Sequence, residues 1–221
     1  MTTPRPQLVV MKFGGTSVED ASAILRTASI VSLRVAKQLT PIVVVSAMSK
    51  VTDTLLAAAA AAGRNAREEA LKLSDALRTR HLQTAAELIP AGDRLTNLHL
   101  NLHQEFDTLD DLLRGISAVG ELTPRTSDNV VSFGERLSSV IVTAAFAQQQ
   151  IPSAHIDART VILTDNHYGK AIPDERAIET ALATQVLPLV DSGRVPVMGK
   201  FDFRAFPPMH HRATTPTLVT A

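Results

Sequence analysis

The 221-residue sequence has no cysteine. That excludes a disulfide framework, a thiolate nucleophile and a cysteine-based zinc site. It also has no net charge, because 22 Lys+Arg balance 22 Asp+Glu, so no overall basic field is present to hold nucleic acid or an anionic membrane surface. Long hydrophobic runs are missing too. The LVVM run, Leu8 to Met11, is followed by the charge of Lys12 and is too short for the apolar core of a signal peptide. The Ala-dominated stretch from Leu55 to Ala62 falls short of the roughly 20 residues a membrane span requires and reads as a buried helix. The expectation is a cytoplasmic protein with neither nucleic acid nor membrane as partner. There is no internal repeat and no low-complexity linker. What the chain does have is 45% hydrophobic residues, enough for one sizeable core and, by default, one domain.

Alternating strand and helix signals organise that core. Leu8 to Met11 read as a buried strand that enters a tight turn at Gly14-Gly15. Ser17 and Asp20 have capping-box spacing, and Ala21, Ile24, Leu25 and Ala28 recur at helical period. Pro41 opens a second strand, Ile42 to Val45, whose unbroken apolar character suits a parallel strand covered on both faces. A polar loop, Ser46 to Lys50, leads to a helix start at Thr52-Asp53. From Asn65 to about Ala118 the composition predicts a helical insertion with a break near Pro90-Ala91-Gly92. A helix over about Asp128 to Gln149 follows Pro124. Strands at Ser153 to Asp157 and Val195 to Met198 then flank a helix from about Asp174 to Val190. The fold class this predicts is α/β, a three-layer α/β/α sandwich on a mainly parallel sheet. The last 22 residues, Lys200 to Ala221, sustain neither period and carry three Phe, three Pro and His210-His211.

In parallel sheets ligands bind beyond the carboxyl ends of the strands. The segment Lys12-Phe13-Gly14-Gly15 lies there, where two glycines let the backbone approach an anion, the following helix offers N–H groups, and Lys12 supplies a charge. On the residues alone, a plain strand-end turn remains the competing reading, and the spacing is not that of a P-loop. Ser46 and Thr52 offer hydroxyls for a carboxylate, or an ordinary helix cap. Glu135, between Gly134 and Arg136, fits an ammonium ligand or an ion pair with a neighbouring arginine. Asp110-Asp111 reads as a solvated helix face. Two adjacent histidines without further ligands do not make a metal site, so no metal ligand is assigned.

In order along the chain, LVVMKFGGTSVED, VVVSAMSKVTDTLL, LTPRTSDNVVSFGERLSS, HIDAR and VPVMG resemble the aspartate kinase family within the amino-acid kinase superfamily. The resemblance runs from about Leu8 to Gly199, and KFGGTSV and SFGERLS are its most specific motifs. It implies phosphoryl transfer from ATP to the β-carboxylate of L-aspartate, giving 4-phospho-L-aspartate, the first step towards lysine, threonine and methionine. Lys12, as catalytic residue, with Phe13, Gly14 and Gly15, matches the segment that meets ATP. Ser46, Thr52 and Glu135 match aspartate-binding positions, and Mg²⁺ is expected with ATP. Homo-oligomer formation is compatible with the resemblance. SFGERLS and SAMSKVTD disfavour kinases acting on acetylglutamate or glutamate. The family continues past VPVMG with a glycine and a TTTLGRGGSD-like segment, whereas here Lys200 follows Gly199. The expectation is therefore an aspartate-binding lobe over residues 1–199 with a helical insertion at about 65–120. An atypical 200–221 tail, arising from a frameshift or altered terminus, would replace the nucleotide-binding half. An inactive fragment that retains at most aspartate binding or chain pairing is the alternative.

Overall fold

The computed structural model describes residues 7–164 and 172–200 and the backbone of Leu218–Thr220. Strands β1 (Gln7–Phe13), β2 (Leu39–Val45), β3 (Ser153–Ile156), β4 (Val195–Gly199) and β5 (Leu218–Thr220) form one sheet in the order β3-β4-β2-β1-β5. Every pairing is parallel. The connection from β1 to β2 passes through α1 (Ala21–Ala36). That from β2 to β3 passes through α2 (Val51–Gly63), α3 (Arg67–Leu88), α4 (Asp93–Val119) and α5 (Pro124–Gln148). Both run in the same direction across the sheet. The return from β3 to β4, through α6 (Ala158–Val161), α7 (Glu175–Ala181) and α8 (Leu187–Asp191), runs in the opposite direction. Right-handed crossovers therefore put these last helices on the other face.

Strand alternation supplies both faces with side chains. Val9, Met11 and Phe13 of β1, Val43 and Val45 of β2, and Val195 and Val197 of β4 enter the main core with α1–α5. Ile42, Val44, Ile156 and Met198 point the other way, against Val161, Ala181 and Val186 of the second helical layer. The fold is thus the expected three-layer sandwich. The helical insertion is continuous with the main core, because Leu102, Phe106, Leu109 and Leu113 of α4 are fully buried in the same cluster as Leu55 and the alanines of α2. Helix α5 is long and apolar enough to cross a bilayer by length and composition. Its Phe133, Leu137, Ile141 and Phe146 are nevertheless buried in the protein core, each contributing roughly 1.5–3 kcal/mol by burial.

Several boundaries differ from expectation. Helix α5 begins at Pro124, not near Asp128. Thr123 forms a capping box with Thr126, and Pro124 occupies the first turn, where its missing N–H is harmless. The single helix expected over 174–190 is interrupted by a π-helical segment, Leu182–Val186. Pro188 in α8 has no N–H for the carbonyl of Thr184 and would clash with it, and the wider turn just before it relieves that conflict. Asp110 is not a solvated face. It accepts from Ser74 at 2.6 Å and pairs with Arg78 at 2.9 Å, tying α4 to α3. Within the tail, expected to hold no strand, Leu218–Thr220 pair with Val10–Lys12 as β5. Residues 201–217, including His210-His211, lie outside the described residues.

Candidate active site

The register sets what meets at the carboxyl edge of the sheet. Phe13, Val45 and Gly199 are aligned across β1, β2 and β4 on the main-core face, and Lys12, Val44 and Met198 form the adjacent row on the opposite face. The ladder continues beyond the strands, with Ser46 N–H donating to Phe13 O at 3.0 Å and Lys200 N–H to Val45 O. The loops after β1, β2 and β4 therefore leave from one edge.

After β1 the chain forms a 3₁₀ turn, Gly15–Ser17, before α1. The expected capping box is shifted: Asp20 is itself the N-cap, accepting from Ala23 N–H at 2.8 Å. Ser17 instead offers its carbonyl to Thr27 Oγ1 at 2.8 Å. The α1 N-terminus, expected to face an anion, is thus occupied by the protein's own carboxylate. Further N–H groups stand in the preceding turn, where Gly14, Gly15 and Thr16 donate to no acceptor among the described residues. Lys12 is half-buried, and its Nζ lies 3.8 Å from where a Cβ on Gly14 would stand. It forms no ion pair among the described residues. A cation and three main-chain donors on one turn suit a polyanion.

The loop after β2 packs directly on this turn. Ser49 N–H donates to Gly15 O at 3.2 Å, and a Cβ on Gly15 would stand 2.9 Å from Ala47 O, so only glycine permits this approach. Neither Thr52 nor Asp53 caps α2. The cap is Lys50, in the left-handed region at φ 68° and without a side-chain cap hydrogen bond. Thr52, half-buried in the first turn, keeps its hydroxyl free of any hydrogen bond to the described residues. The helix start therefore presents a positive dipole end and a hydroxyl at the close of the loop that Ser46 opens.

Glu135 is only 6% exposed. Its backbone lies across β4: a Cβ on Gly199 would be 2.9 Å from both Glu135 Cβ and Glu135 O. One residue earlier, a Cβ on Gly134 would be 2.8 Å from Ala47 Cβ, so the same helix also closes on the loop after β2. Arg136, the partner considered from sequence, turns to Glu105 and stacks 4.3 Å above the Phe133 ring. The structure thus brings Lys12, Gly14, Gly15, Ser46 and Thr52 to one edge, with the buried Glu135 packed on β4 at that edge. Gly134 and Gly199, whose missing side chains allow this packing, were not singled out as close-approach positions. The glycines inside the SFGERLS and VPVMG motifs were the available signal.

At the neighbouring end of β3, Asp157 caps α6 and is held below the usual carboxylate range, chiefly by its hydrogen bond from Arg159. His155 Nε2 lies 3.0 Å from Ser139 Oγ, and although the residue as a whole is exposed, partial desolvation of its ring lowers its pKa. Among the described residues no group of three or more His, Cys, Asp or Glu is placed to hold a metal ion. No protein ligand for Mg²⁺ is therefore assigned.

Comparison with known proteins adds independent information. The sequence profile described as the amino acid kinase family matches residues 7–214. Lysine-sensitive aspartokinase 3 of Escherichia coli is 30% identical over 195 residues, covering 87% of this chain and 40% of the relative. Aspartokinase 2, chloroplastic, of Arabidopsis thaliana is 39% identical over 138 residues, covering 61% of this chain and 24% of the relative. Among solved structures, E. coli aspartokinase III in complex with aspartate and ADP superposes with a TM-score of 0.74 at 26% identity, covering 86% of this chain and 40% of that one. The chain thus spans about 40% of the length of the E. coli enzyme it matches.

Proposed function

The chain belongs to the amino acid kinase family, and from that premise we propose that residues 1–199 are the aspartate-binding lobe of a cytoplasmic aspartate kinase. The reaction is transfer of the γ-phosphoryl group of ATP to the β-carboxylate of L-aspartate. The observation that carries this reading is the gathering of Lys12, Ser46, Thr52 and buried Glu135 at one edge of a parallel sheet. An E. coli aspartokinase III that shares this fold was solved with aspartate and ADP, which supports the same pair of ligands here.

The chemistry accounts for the residue types. Aspartate's β-carboxylate is ionised near neutral pH, so no general base is needed to create the nucleophile. The obstacle is one anion attacking another. Lys12, with the N–H groups of Gly14 and Gly15, lowers it by neutralising charge that spreads over the transferring phosphoryl oxygens. Ser46, directly after β2, and Thr52, in the first turn of α2, hold a carboxylate of aspartate, and Glu135 takes the ammonium group, which fixes the β-carboxylate in line. Magnesium, when bound with the nucleotide, supplies further neutralisation through the phosphates.

Aspartate and ATP binding are best measured separately by calorimetry, since only the phosphate side of the nucleotide site is assigned to residues. A coupled ATP-consumption assay with and without aspartate follows. The wild-type chain should bind aspartate, and Glu135→Gln should weaken that binding at least tenfold, about 1.4 kcal/mol, with ATP binding unchanged. Wild-type protein with no heat of aspartate binding would sink the reading.

A further inference from the structure

Arg80 lies on α3, in the helical insertion, yet both of its terminal nitrogens reach the candidate site loops. One donates to Ser49 O at 2.8 Å and the other to Glu19 O at 2.9 Å. These contacts span 31 and 61 residues of sequence. The two acceptors occupy equivalent places: Glu19 immediately precedes Asp20, the N-cap of α1, and Ser49 immediately precedes Lys50, the N-cap of α2. One side chain thus holds the entry to both helices that begin at the site. Arg80 is half-buried and pairs with no carboxylate among the described residues. A neighbouring arginine on the same helix, Arg78, behaves conventionally and pairs with Asp107 and Asp110 of α4.

We propose that Arg80 is a positioning residue for phosphoryl transfer: its planar fork locks the phosphate-facing turn after β1 and the aspartate-facing loop after β2 into one register. Between these loops the main chain supplies the Ser49 N–H to Gly15 O bond, at 3.2 Å. Without Arg80 the two loops can slide about that bond, and small misplacements of reacting groups are costly in rate. The guanidinium suits this task because it offers two donors at fixed divergence, whereas a lysine ammonium gathers its donors on one nitrogen at the end of a flexible stem and does not hold two separated carbonyls in a fixed geometry. The helical insertion thereby becomes a brace for the site. The catalytic consequence rests on the aspartate kinase reading, but the clamp itself does not.

The test compares Arg80→Met, Arg80→Lys and, as a control on the same helix, Arg78→Met in the full chain. Amide hydrogen exchange is read at Thr16–Glu19 and Ala47–Lys50, and aspartate affinity by calorimetry. Arg80→Met should speed exchange in both loops at least tenfold and weaken aspartate binding at least tenfold. Arg78→Met should leave both loops as in wild type. Arg80→Lys should recover less than half of the affinity loss on a logarithmic scale. Unchanged loop exchange in Arg80→Met, equal loop exchange in Arg78→Met, or full rescue by lysine each overturns the clamp. If wild-type protein binds no aspartate, the functional reading fails alone, and the exchange data still decide the role of Arg80.

Discussion

Replacing Gly199 with alanine tests whether β4 and α5 meet as closely as the candidate site requires. The added Cβ would stand 2.9 Å from Glu135 Cβ and Glu135 O and 3.1 Å from Glu135 C. These are mainly backbone atoms in the middle of a long helix, so they cannot swing aside. Overpacking of this kind costs about 1–3 kcal/mol, and relief of the glycine's entropic penalty in a strand returns about 0.5–1 kcal/mol. The net loss is centred near about 1 kcal/mol, with a ceiling of about 2.5 kcal/mol. At roughly 2–4 °C per kcal/mol for a chain of this size, the melting temperature should fall by about 2–4 °C, and by no more than about 10 °C. Because the displaced atoms belong to Glu135, aspartate affinity should fall severalfold as well. Gly115→Ala is the matched control. It lies within α4 with nothing within 4 Å of its new Cβ, so it should raise stability by up to about 1 kcal/mol through helix propensity. Scanning calorimetry and aspartate titration on the two variants give opposite signs if the reasoning holds. A Gly199→Ala protein that melts with or above wild type and binds aspartate normally would refute the close packing.

His81 should dominate the acid sensitivity of the helical insertion. It is fully buried, edge-on to Phe106 at 5.5 Å, with Nδ1 2.7 Å from Leu77 O, and burial lowers its pKa to about 4. The unfolded chain takes up the proton first, so this stability is complete above about pH 6.5 and is lost as pH falls towards 4, by about 3 kcal/mol in all. His81→Leu should flatten urea-derived stability across that window, and an equally steep curve would reject the assignment. Lys12→Met should weaken ATP binding at least tenfold, about 1.4 kcal/mol, while changing aspartate affinity less than twofold, both measured by calorimetry. An equal loss of both would mean that Lys12 holds the amino acid.

The sheet and the helical insertion were legible because their signals are local and redundant. Alternation in LVVMKF and the unbroken IVVV run state which faces are covered, and the proline-glycine break near residue 91 separates α3 from α4 where expected. Caps were harder to read, since Ser17, Asp20, Thr52 and Asp53 all carry capping chemistry. Tertiary packing selects among them. In the folded chain Gly15 is drawn against Ala47, the cap of α1 stands at Asp20, and Lys50 takes the left-handed region ahead of α2. The site residues were found by motif resemblance, but their mutual placement depends on glycines whose role is the absence of a side chain, and on Arg80, which ordinary composition does not distinguish from Arg78.

The place of β4 in the sheet has a consequence for synthesis. β3 leaves the ribosome roughly a hundred residues after β2, yet the two strands never touch; β4, made later still, slots between them. Until Val195–Gly199 emerge, β2 presents an open edge and β3 has no strand partner, while β1, β2 and α1 can already associate through near-neighbour contacts. Vectorial folding should therefore pause with a half-built sheet whose exposed edge is a template for intermolecular pairing. The late insertion of five buried residues closes that edge and, in the same step, brings Gly199 beneath Glu135.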